Sequence, residues 1–381
     1  MKTVALGEVA TIDRRGVDPG SLPPQTAYLG LEHIERGGRI IGRGTVGEAE
    51  LASTKFHFSE RHVLFGKLRP NLGKVSRPDF DGVCSTDILP IRPGNNLDKD
   101  YLAHYLSQPS MVRFAASRTS GANLPRLSPA VLSQFPIPLP PLPEQRRIAA
   151  ILDHADALRA KRRQVLAQLD SLTQSIFHDM FGDLKTNPHG YDLATVGDVS
   201  ERVTDGEHKT PRRSASGFPL LSARNIRDGW IDFENTDFID ADEYAGLSRR
   251  IEPREGDLLI SCSGTIGRVA QVRGRSRFAM VRSAALVRPG QAVDPTFLER
   301  TLASPALRSI MVSQANSSAQ ANLFQNQIRR LPVVVPPLGL QREFAGRACR
   351  VAALRATAAS AFAADGELFA SLQSRAFDGR L

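Results

Sequence analysis

The 381-residue chain has few cysteines, a single tryptophan and no long apolar run. Its three cysteines, Cys84, Cys262 and Cys349, lie far apart in the sequence and form no CxxC pair. An odd number at this spacing supports neither a disulfide framework nor a zinc site, and it suits a reducing compartment. No stretch approaches the ~20 apolar residues that span a bilayer. We therefore expect a soluble, cytoplasmic protein that makes no membrane contact.

Motifs for catalysis are missing as well. The chain has neither a GxxxxGK[ST] loop nor a GxGxxG loop after a strand, so nothing in it predicts a bound nucleotide. The segment NPHG at 187–190 lacks the second proline and the aromatic residue of an amino-methylating site. His57 and His62 could be metal ligands only with further residues from elsewhere in the chain, and surface or core histidines are far commoner. We expect no catalytic residue, no cofactor and no metal.

The most regular feature that is present runs from Pro140 to Asp183. Its apolar residues recur at alternating steps of three and four, which is typical of a coiled-coil seam. Pro143 suits a first helical position, and Gly182 suits the left-handed end of a helix. A helix over 144–181 would be ~57 Å long and would need a partner of similar length. The predicted seam is Ile148, Ile151, Ala155, Leu158, Val165, Leu169, Leu172 and Ile176.

The expected partner is the alanine-rich stretch from Pro336 to Leu381. Two ordinary core helices are the alternative, but the duplication described below favours a helical pair. Arg162 and Asp365 are charges at inner positions, and we expect them to pair unless either residue reaches solvent at the helix edge. The predicted second seam is Phe344, Val351, Leu354, Ala358, Ala361, Leu368 and Leu372. Four arginines on the outer face of the first helix are candidates for docking a partner protein: Arg146, Arg147, Arg159 and Arg163.

The chain repeats itself in two halves. PPLPEQRR at 140–147 matches PPLGLQRE at 336–343, and GLEHIERGGRI at 30–40 matches SARNIRDGWI at 222–231. Two copies of so long a period predict internal two-fold pseudosymmetry. The fold class we expect from the residues is α+β, with two pseudosymmetric domains and two long helices that pair with each other. The domains are predicted at 1–142 and 183–338, and the helices at 143–182 and 339–381.

The basic balance of the chain, with a net charge of +9, favours a polyanionic partner such as nucleic acid or an anionic membrane. A loop of glycine, basic residues and polar donors occurs twice, as KLRPNLGKV at 67–75 and SGTIGRV at 263–269. Such a loop lets backbone amides approach a phosphate while Lys or Arg neutralises it.

The second copy opens a run without acids at 258–293. A solvated strand face explains one such run equally well, but two copies of the loop favour function. Asn, Gln and Arg also suit base readout, although turn and capping roles explain most Asn equally well, and no base reader is singled out. The candidate DNA contacts are Lys67, Arg69, Asn71, Lys74, Arg126, Arg224, Asn225, Ser263, Thr265, Arg268, Arg273 and Arg275.

Taken together, the two halves and their helix entries resemble the specificity subunit of type I restriction-modification systems. The pieces that carry the resemblance are PLPPLPEQRRIAAILD (138–153), SLTQSIFHDMFG (171–182) and GDLLISCSGTIGRV (256–269). The resemblance implies two target-recognition domains, each reading one half of a bipartite site in double-stranded DNA. It also implies that the domains are mixed α/β and are separated by a long antiparallel two-helix coiled coil. These helices would set the spacing and dock DNA adenine methyltransferase subunits, through which ATP-dependent restriction subunits attach. The subunit itself would be no enzyme.

One departure from that family concerns the second helix entry, where LGLQ at 338–341 lacks the Pro-Glu of the first copy. Two other functions remain open from the residues alone. One is a coiled-coil adaptor that never touches DNA, and the other is the specificity subunit of a fused methylase-nuclease. Binding of a split-site duplex with a steep salt dependence separates the adaptor from the other two.

Overall fold

The computed structural model describes residues 2–208, 210–274, 277–315 and 321–381. The chain divides into two compact units: unit 1 comprises Met1–Gln164 and Ala359–Leu381, and unit 2 comprises Val165–Ala358. Both units contain helices and sheets, so the expected α+β fold class is confirmed. The division falls within two long helices, and each of these contributes a different part to each unit.

Unit 1 is built from short strands, short helices and parts of both long helices. Its strands are β1 (Thr3–Ala5), β2 (Ala10–Ile12), β3 (Gly16–Val17), β4 (Ala27–Leu29), β5 (Gly44–Thr45), β6 (Lys55–Phe58), β7 (Val63–Gly66), β8 (Val75–Ser76), β9 (Gly82–Cys84), β10 (Ile88–Pro93) and β11 (Pro136–Pro138). Its helices are α1 (Leu6–Val9), α2 (Lys99–Ser107), α3 (Pro109–Ala116), α4 (Pro129–Ser133) and the first part of α5 (Leu142–Phe181). Short 3₁₀ turns lie at Pro19–Ser21, Leu31–His33 and Pro70–Leu72.

Unit 2 repeats this order. Its strands are β12 (Asp192–Thr195), β13 (Ser200–Asp205), β14 (Phe218–Leu221), β15 (Ile226–Arg227), β16 (Trp230–Ile231), β17 (Asp237–Ile239), β18 (Leu258–Ser261), β19 (Val269–Gln271), β20 (Ala279–Met280), β21 (Ala284–Pro289) and β22 (Pro332–Val335). Its helices are α6 (Ala241–Ser248), α7 (Pro295–Leu302), α8 (Pro305–Ala315), α9 (Gln325–Arg329) and the first part of α10 (Leu338–Phe377). A 3₁₀ turn lies at Ala223–Asn225.

Strand order confirms the internal repeat. The four-stranded sheet β2-β10-β7-β8 of unit 1 corresponds to β13-β21-β18-β19 of unit 2, and the pair β1-β11 corresponds to β12-β22. A parallel pair also recurs, since β4 pairs with β9 and β14 pairs with β20. In these sheets the two sequences therefore encode the same connectivity in spite of their low likeness outside the helices. The remaining sheets differ, since unit 1 has the five-stranded sheet β3-β6-β9-β4-β5 and unit 2 has the three-stranded sheet β17-β14-β20 and the pair β15-β16.

The strands β7 and β18 are apolar without alternation because both faces of each are covered. In β7, Val63 and Phe65 belong to one buried cluster, while Leu64 belongs to another. In β18, Leu258 and Ile260 likewise belong to one buried cluster, and Leu259 belongs to another. Because successive side chains point to opposite faces of a strand, each of these strands joins two cores of its unit. This arrangement fixes the loop that follows each strand.

The two long helices α5 and α10 span 40 residues each, or about 60 Å at 1.5 Å per residue. Gly182, with φ +70°, ends the first helix in the left-handed conformation, as predicted. Within unit 1 the two helices run antiparallel, because Arg162 pairs with Asp365 at 2.6 Å while Arg159 stacks on Phe369. Within unit 2 they do so as well, because Asp170 pairs with Arg355 and Phe177 packs against Phe344. The expected Arg162–Asp365 ion pair is confirmed.

The predicted apolar seam is wrong in the middle of both helices. Leu158, Val165 and Leu172 of α5 are exposed, as are Leu354 and Leu368 of α10. Residues one position away, such as Leu152, Thr173 and Gln373, are the buried ones. The straight 3.6-residue period of an α-helix drifts from the 3.5-residue heptad, so a seam read from one end of a long helix loses its register further along.

A buried glutamine anchors the start of each long helix, and the sequence reading missed its role. Gln145 Oε1 accepts from the Asp98 amide at 2.8 Å, and its Nε2 donates to the Asn96 and Pro140 carbonyls at 3.0 and 2.8 Å. Gln341 makes the same three bonds, to the Asp294 amide (2.8 Å) and to the Ala292 and Pro336 carbonyls (3.3 and 2.7 Å). Both side chains are fully buried. The repeated Gln of PPLPEQ and PPLGLQ was the available signal.

Helix α5 is also held to unit 1 by a charged cluster. Asp153 accepts from Arg77 at 2.6 Å and from His104 at 2.8 Å. Burial alone would raise the pKa of Asp153, but the hydrogen bonds from His104 and Arg77 outweigh it and hold the pKa below its ordinary value. The carboxylate therefore stays ionised at neutral pH and cross-links α2, α5 and the loop after β8.

Candidate nucleic-acid interface

In unit 2 the predicted phosphate loop connects β18 to β19. Ser261 fixes its shape, because the Ser261 hydroxyl donates to the Thr265 carbonyl at 2.6 Å and accepts from the Arg268 amide at 2.9 Å. Gly264 and Gly267 take left-handed φ values of +68° and +79°, and none of the residues that the structure describes lies within 4 Å of a Cβ built on Gly264. Backbone at this turn is thus open to a ligand. Ser263 is half-buried and Thr265 is exposed on the same turn.

This loop borders a cavity of about 430 Å³, which we call the unit 2 pocket. Arg224 pairs with Asp237 at 3.0 Å, and Arg227 pairs with Asp232 at 3.2 Å. The guanidinium of Arg268 has no ion pair or hydrogen bond with any residue that the structure describes. The pocket is lined by Ser222, Ala223, Arg224, Arg227, Ser263, Gly264, Thr265, Arg268 and Ser283. Three arginines and four hydroxyl groups make it a donor-rich, positively charged site.

In unit 1 the equivalent loop is held by a second loop. The Arg69 amide donates to the Pro125 carbonyl at 2.8 Å, and the Leu127 amide donates to the Lys67 carbonyl at 2.9 Å. These bonds bring Lys67, Arg69 and Arg126 into one region with the exposed Asn71. Arg126 forms a hydrogen bond to Asp87 at 3.0 Å, and Lys67 lies 4.0 Å from the same carboxylate. Arg69 is exposed and holds a left-handed φ of +51°.

Three of the predicted contacts serve the fold instead. Asn225 is fully buried, and its side chain bonds the Ser222 amide and the Asp232 and Asn235 carbonyls. It cannot reach DNA, so this prediction is wrong. Lys74 donates to the Leu31 carbonyl at 2.7 Å within unit 1. Arg273 donates to the Gly229 carbonyl and to the buried carboxylate of Glu299, which would otherwise be an unpaired buried charge. Arg275 lies outside the described residues.

The four predicted docking arginines do not share one face. Arg146 is 70% exposed, and Arg147 is exposed and forms a bidentate pair with Glu144. Arg159 lies over the Phe369 ring at 4.5 Å, and Arg163 lies over the Phe362 ring at 5.8 Å. The prediction of an outer face is therefore wrong for Arg159 and Arg163, because both contact α10 within unit 1.

The sequence reading missed two side chains of this region. Arg227 lines the unit 2 pocket, and Trp230 is directly opposite it in the β15-β16 hairpin. Both lie in SARNIRDGWI, the stretch that supplied Arg224. An exposed tryptophan beside arginines was the available signal, since Trp is seldom left in water without a role.

Neither a metal site nor a membrane helix emerges from the part of the chain that the structure describes. No group of three or more His, Cys, Asp or Glu side chains there is placed to hold a metal ion. Among the same residues, no helix combines the length and the apolar character that crossing a membrane requires.

Comparison with known proteins finds similarity in both sequence and fold. A family model described as "Type I restriction modification DNA specificity domain" matches residues 1–169. The Type I restriction enzyme EcoDI specificity subunit of Escherichia coli is 34% identical over 200 residues, covering 51% of this chain and 45% of that protein. The Type I restriction enzyme EcoKI specificity subunit of Escherichia coli K12 is 23% identical over 317 residues, covering 76% of this chain and 67% of that protein.

Solved structures support the fold. The S subunit of a type I restriction-modification system from M. genitalium superposes with a TM-score of 0.63 at 13% identity, covering 99% of this chain and 96% of that one. A chain from a solved structure on complex assembly of the type I R-M system superposes with a TM-score of 0.62 at 21% identity. This match covers 100% of the present chain and 98% of that one. In sequence and in fold, the chain is therefore similar to type I restriction-modification specificity subunits. It spans less than half the length of the EcoDI subunit.

Proposed function

We propose that the chain is the sequence-specific DNA-binding subunit of a type I restriction-modification complex. In this proposal each unit reads one half of a bipartite site in double-stranded DNA. The observation that carries it is the repeated loop, which in both units follows the doubly covered strand and is bonded to a second loop. The Leu127 amide donates to the Lys67 carbonyl in unit 1, and the Leu323 amide donates to the Cys262 carbonyl in unit 2, both at 2.9 Å.

The test is methylation mapping in cells. The chain is co-expressed with the DNA adenine methyltransferase subunit of a type I system, and methylated adenines are mapped across the genome. We expect one split sequence with two specific halves. Exchanging residues 183–337 for those of a relative with another target should change one half and leave the other. A change in both halves, or methylation without sequence preference, would contradict the assignment of one half-site to each unit.

The subunit performs no chemistry by itself in this proposal. Methyl transfer belongs to the methyltransferase partner, and ATP-driven cleavage belongs to restriction subunits that attach through that partner. The purified chain, incubated with duplex DNA and a labelled methyl donor, should transfer no label. Transfer by the single chain, above that of a heat-denatured sample, would refute the proposal.

We further propose that the long helices dock the methylating subunit through their exposed apolar side chains. Leu158 and Leu368 in unit 1, and Val165, Leu172 and Leu354 in unit 2, are large apolar residues left in water. Exposed apolar groups on one element mark interaction surfaces when they are numerous. Arg146 adds a charge near the start of α5.

The docking proposal is tested by co-purification of the full chain with the methyltransferase subunit. Leu158→Glu should reduce the retained partner at least tenfold, because a charge then has to be buried at the interface. Ala157→Glu is the matched control, since Ala157 is an exposed small residue one position away. Equal retention of the partner by the two variants would contradict docking at Leu158.

A further inference from the structure

At structurally equivalent backbone positions, the two units carry side chains of opposite charge. In unit 2, Asn225 Oδ1 accepts from the Ser222 amide at 2.9 Å, and in unit 1, His33 Nδ1 accepts from the Gly30 amide at 3.0 Å. The turns Ala223–Asn225 and Leu31–His33 are therefore equivalent. By this correspondence Arg224 matches Glu32, and Arg227 matches Glu35.

The repeated loop gives a second set of matches. The Ser261 amide donates to the Arg268 carbonyl at 3.0 Å, as the Gly66 amide does to the Lys74 carbonyl at 2.8 Å. Arg268 thus matches Lys74. The next amide along donates to the Ser283 carbonyl in unit 2 and to the Asp87 carbonyl in unit 1, so Ser283 matches Asp87.

Charge around these positions differs strongly between the units. In unit 2, one guanidinium, that of Arg268, is unpaired among the described residues, and Asp237 is shared by Arg213 and Arg224 at 3.0 Å each. Burial alone would raise the pKa of Asp237, but Arg224 and Arg213 outweigh it and hold the pKa below its ordinary value. Four arginines there face only two carboxylates, those of Asp232 and Asp237.

In unit 1 the matched positions have lost that excess of positive charge. Glu32 and Glu35 replace two arginines, Asp87 replaces a serine, and Lys74 donates to the Leu31 carbonyl. The Glu35 carboxylate forms an ion pair with Arg39 at 2.6 Å. At the positions matched to Arg224, Arg227 and Ser283, an anion would meet carboxylates.

Resting on the proposed function, we propose that the unit 2 pocket binds a phosphodiester group of the DNA backbone, and that the matched place in unit 1 binds none. The pocket lining is guanidinium, hydroxyl and glycine backbone, with Ala223 as its one aliphatic side chain. Among the described residues, none that lines the pocket gives it an aromatic or broad apolar wall against which a base would stack. Ser, Thr, Arg and backbone amides are the groups that contact phosphate and sugar.

The pocket has a built-in reporter. Trp230 is the single tryptophan of the chain, is 56% exposed and pairs with Arg227 across the β15-β16 hairpin. Directly opposed residues of an antiparallel pair project on the same side, so the indole lies on the face that carries the Arg227 side chain. DNA held in the pocket should therefore change the fluorescence of Trp230.

The experiment uses the full chain and a duplex carrying the sequence that is methylated in cells. Affinity is measured from 50 to 200 mM salt for wild type, Arg268→Ala, Arg268→Lys and Arg249→Ala. Loss of one phosphate contact lowers the slope of log K against log salt by about 0.9, so the ratio of wild-type to variant affinity should shrink roughly threefold over that range. Arg268→Lys should keep the slope, because it keeps the charge. Arg249 is exposed and lines no part of the pocket, so it is the control for loss of an arginine.

The outcomes separate the proposals. An unchanged slope for Arg268→Ala, with wild-type binding intact, overturns the phosphate assignment alone. A changed recognition sequence with an unchanged slope identifies Arg268 as a base reader and overturns it too. Lys74→Ala should leave the slope as it is, and a drop of about 0.9 there would overturn the asymmetry. A wild-type chain that binds no duplex overturns the proposed function, and this inference with it.

Discussion

Replacing Gln145 by leucine should destabilise unit 1 far more than any surface change on the same helix. The substitution keeps the side chain's size but removes three hydrogen bonds, and it leaves the Asp98 amide and the Asn96 and Pro140 carbonyls without partners. Because Gln145 is fully buried, water cannot replace these bonds. Each lost pair costs at least about 1 kcal/mol, so we expect about 3 kcal/mol of lost unfolding free energy.

The same change can be made in unit 2, where it has its own readout. Gln341→Leu removes the equivalent bonds, of which the one to the Ala292 carbonyl is longer at 3.3 Å, and we expect a similar or slightly smaller loss. Because the single tryptophan lies in unit 2, its fluorescence follows the unfolding of that unit in urea. With a typical m-value of ~2 kcal/mol/M, 3 kcal/mol lowers the midpoint by about 1.5 M.

For Gln145→Leu the measurement is amide hydrogen exchange. Peptides that cover Asp98 and the start of α2 should exchange faster, because the Asp98 amide has lost its acceptor. The matched controls are Gln164→Leu in unit 1 and Gln168→Leu in unit 2, both exposed on α5, which should change stability by less than about 0.5 kcal/mol. A loss below about 1 kcal/mol for either buried glutamine would refute the hydrogen-bond reasoning.

Two further predictions concern α5. Asp153→Asn should cost on the order of 1 kcal/mol at neutral pH, discounted because the Asp153 side chain is 39% exposed, whereas the surface change Asp156→Asn should cost less. Since the pKa of folded Asp153 lies below its unfolded value, its contribution is complete above the unfolded pKa and is lost as pH falls through the folded pKa. The difference in unfolding free energy between wild type and Asp153→Asn, measured by urea titration, should therefore shrink in acid. A larger difference in acid than at neutral pH would refute this account. Deleting the facing segments 160–163 and 362–365 together should shorten each helix by ~6 Å, somewhat under two base pairs at 3.4 Å each. The methyltransferase in complex with a folded variant should therefore methylate the same half-sites with a shorter spacer. Unchanged spacing in an active variant would show that the helices do not measure the DNA.

Part of the candidate site was readable from the sequence because the duplication repeats its local chemistry. The turn SGTIGRV and its counterpart KLRPNLGKV were both located, and Arg268, Arg224, Ser263 and Thr265 do meet at one pocket. Asn225 was misassigned because a buried turn-forming Asn and an exposed base-reading Asn have the same local sequence. Which of the two occurs depends on what covers the turn.

The two long helices and the repeated β-rich halves could be predicted from the sequence alone, because they follow from periodicity, helix-end residues and internal likeness. The antiparallel packing of the helices came from the family resemblance, and the Arg162–Asp365 pair was one of two outcomes that the sequence left open. Tertiary structure alone decided which face of each helix is buried, since helical drift over 40 residues exceeds what a heptad pattern can specify. It also decided that Lys74 and Arg268, which occupy equivalent positions in the repeated loop, make different contacts. The Lys74 ammonium donates a hydrogen bond to the Leu31 carbonyl of a distant turn, whereas the Arg268 guanidinium has no partner among the described residues.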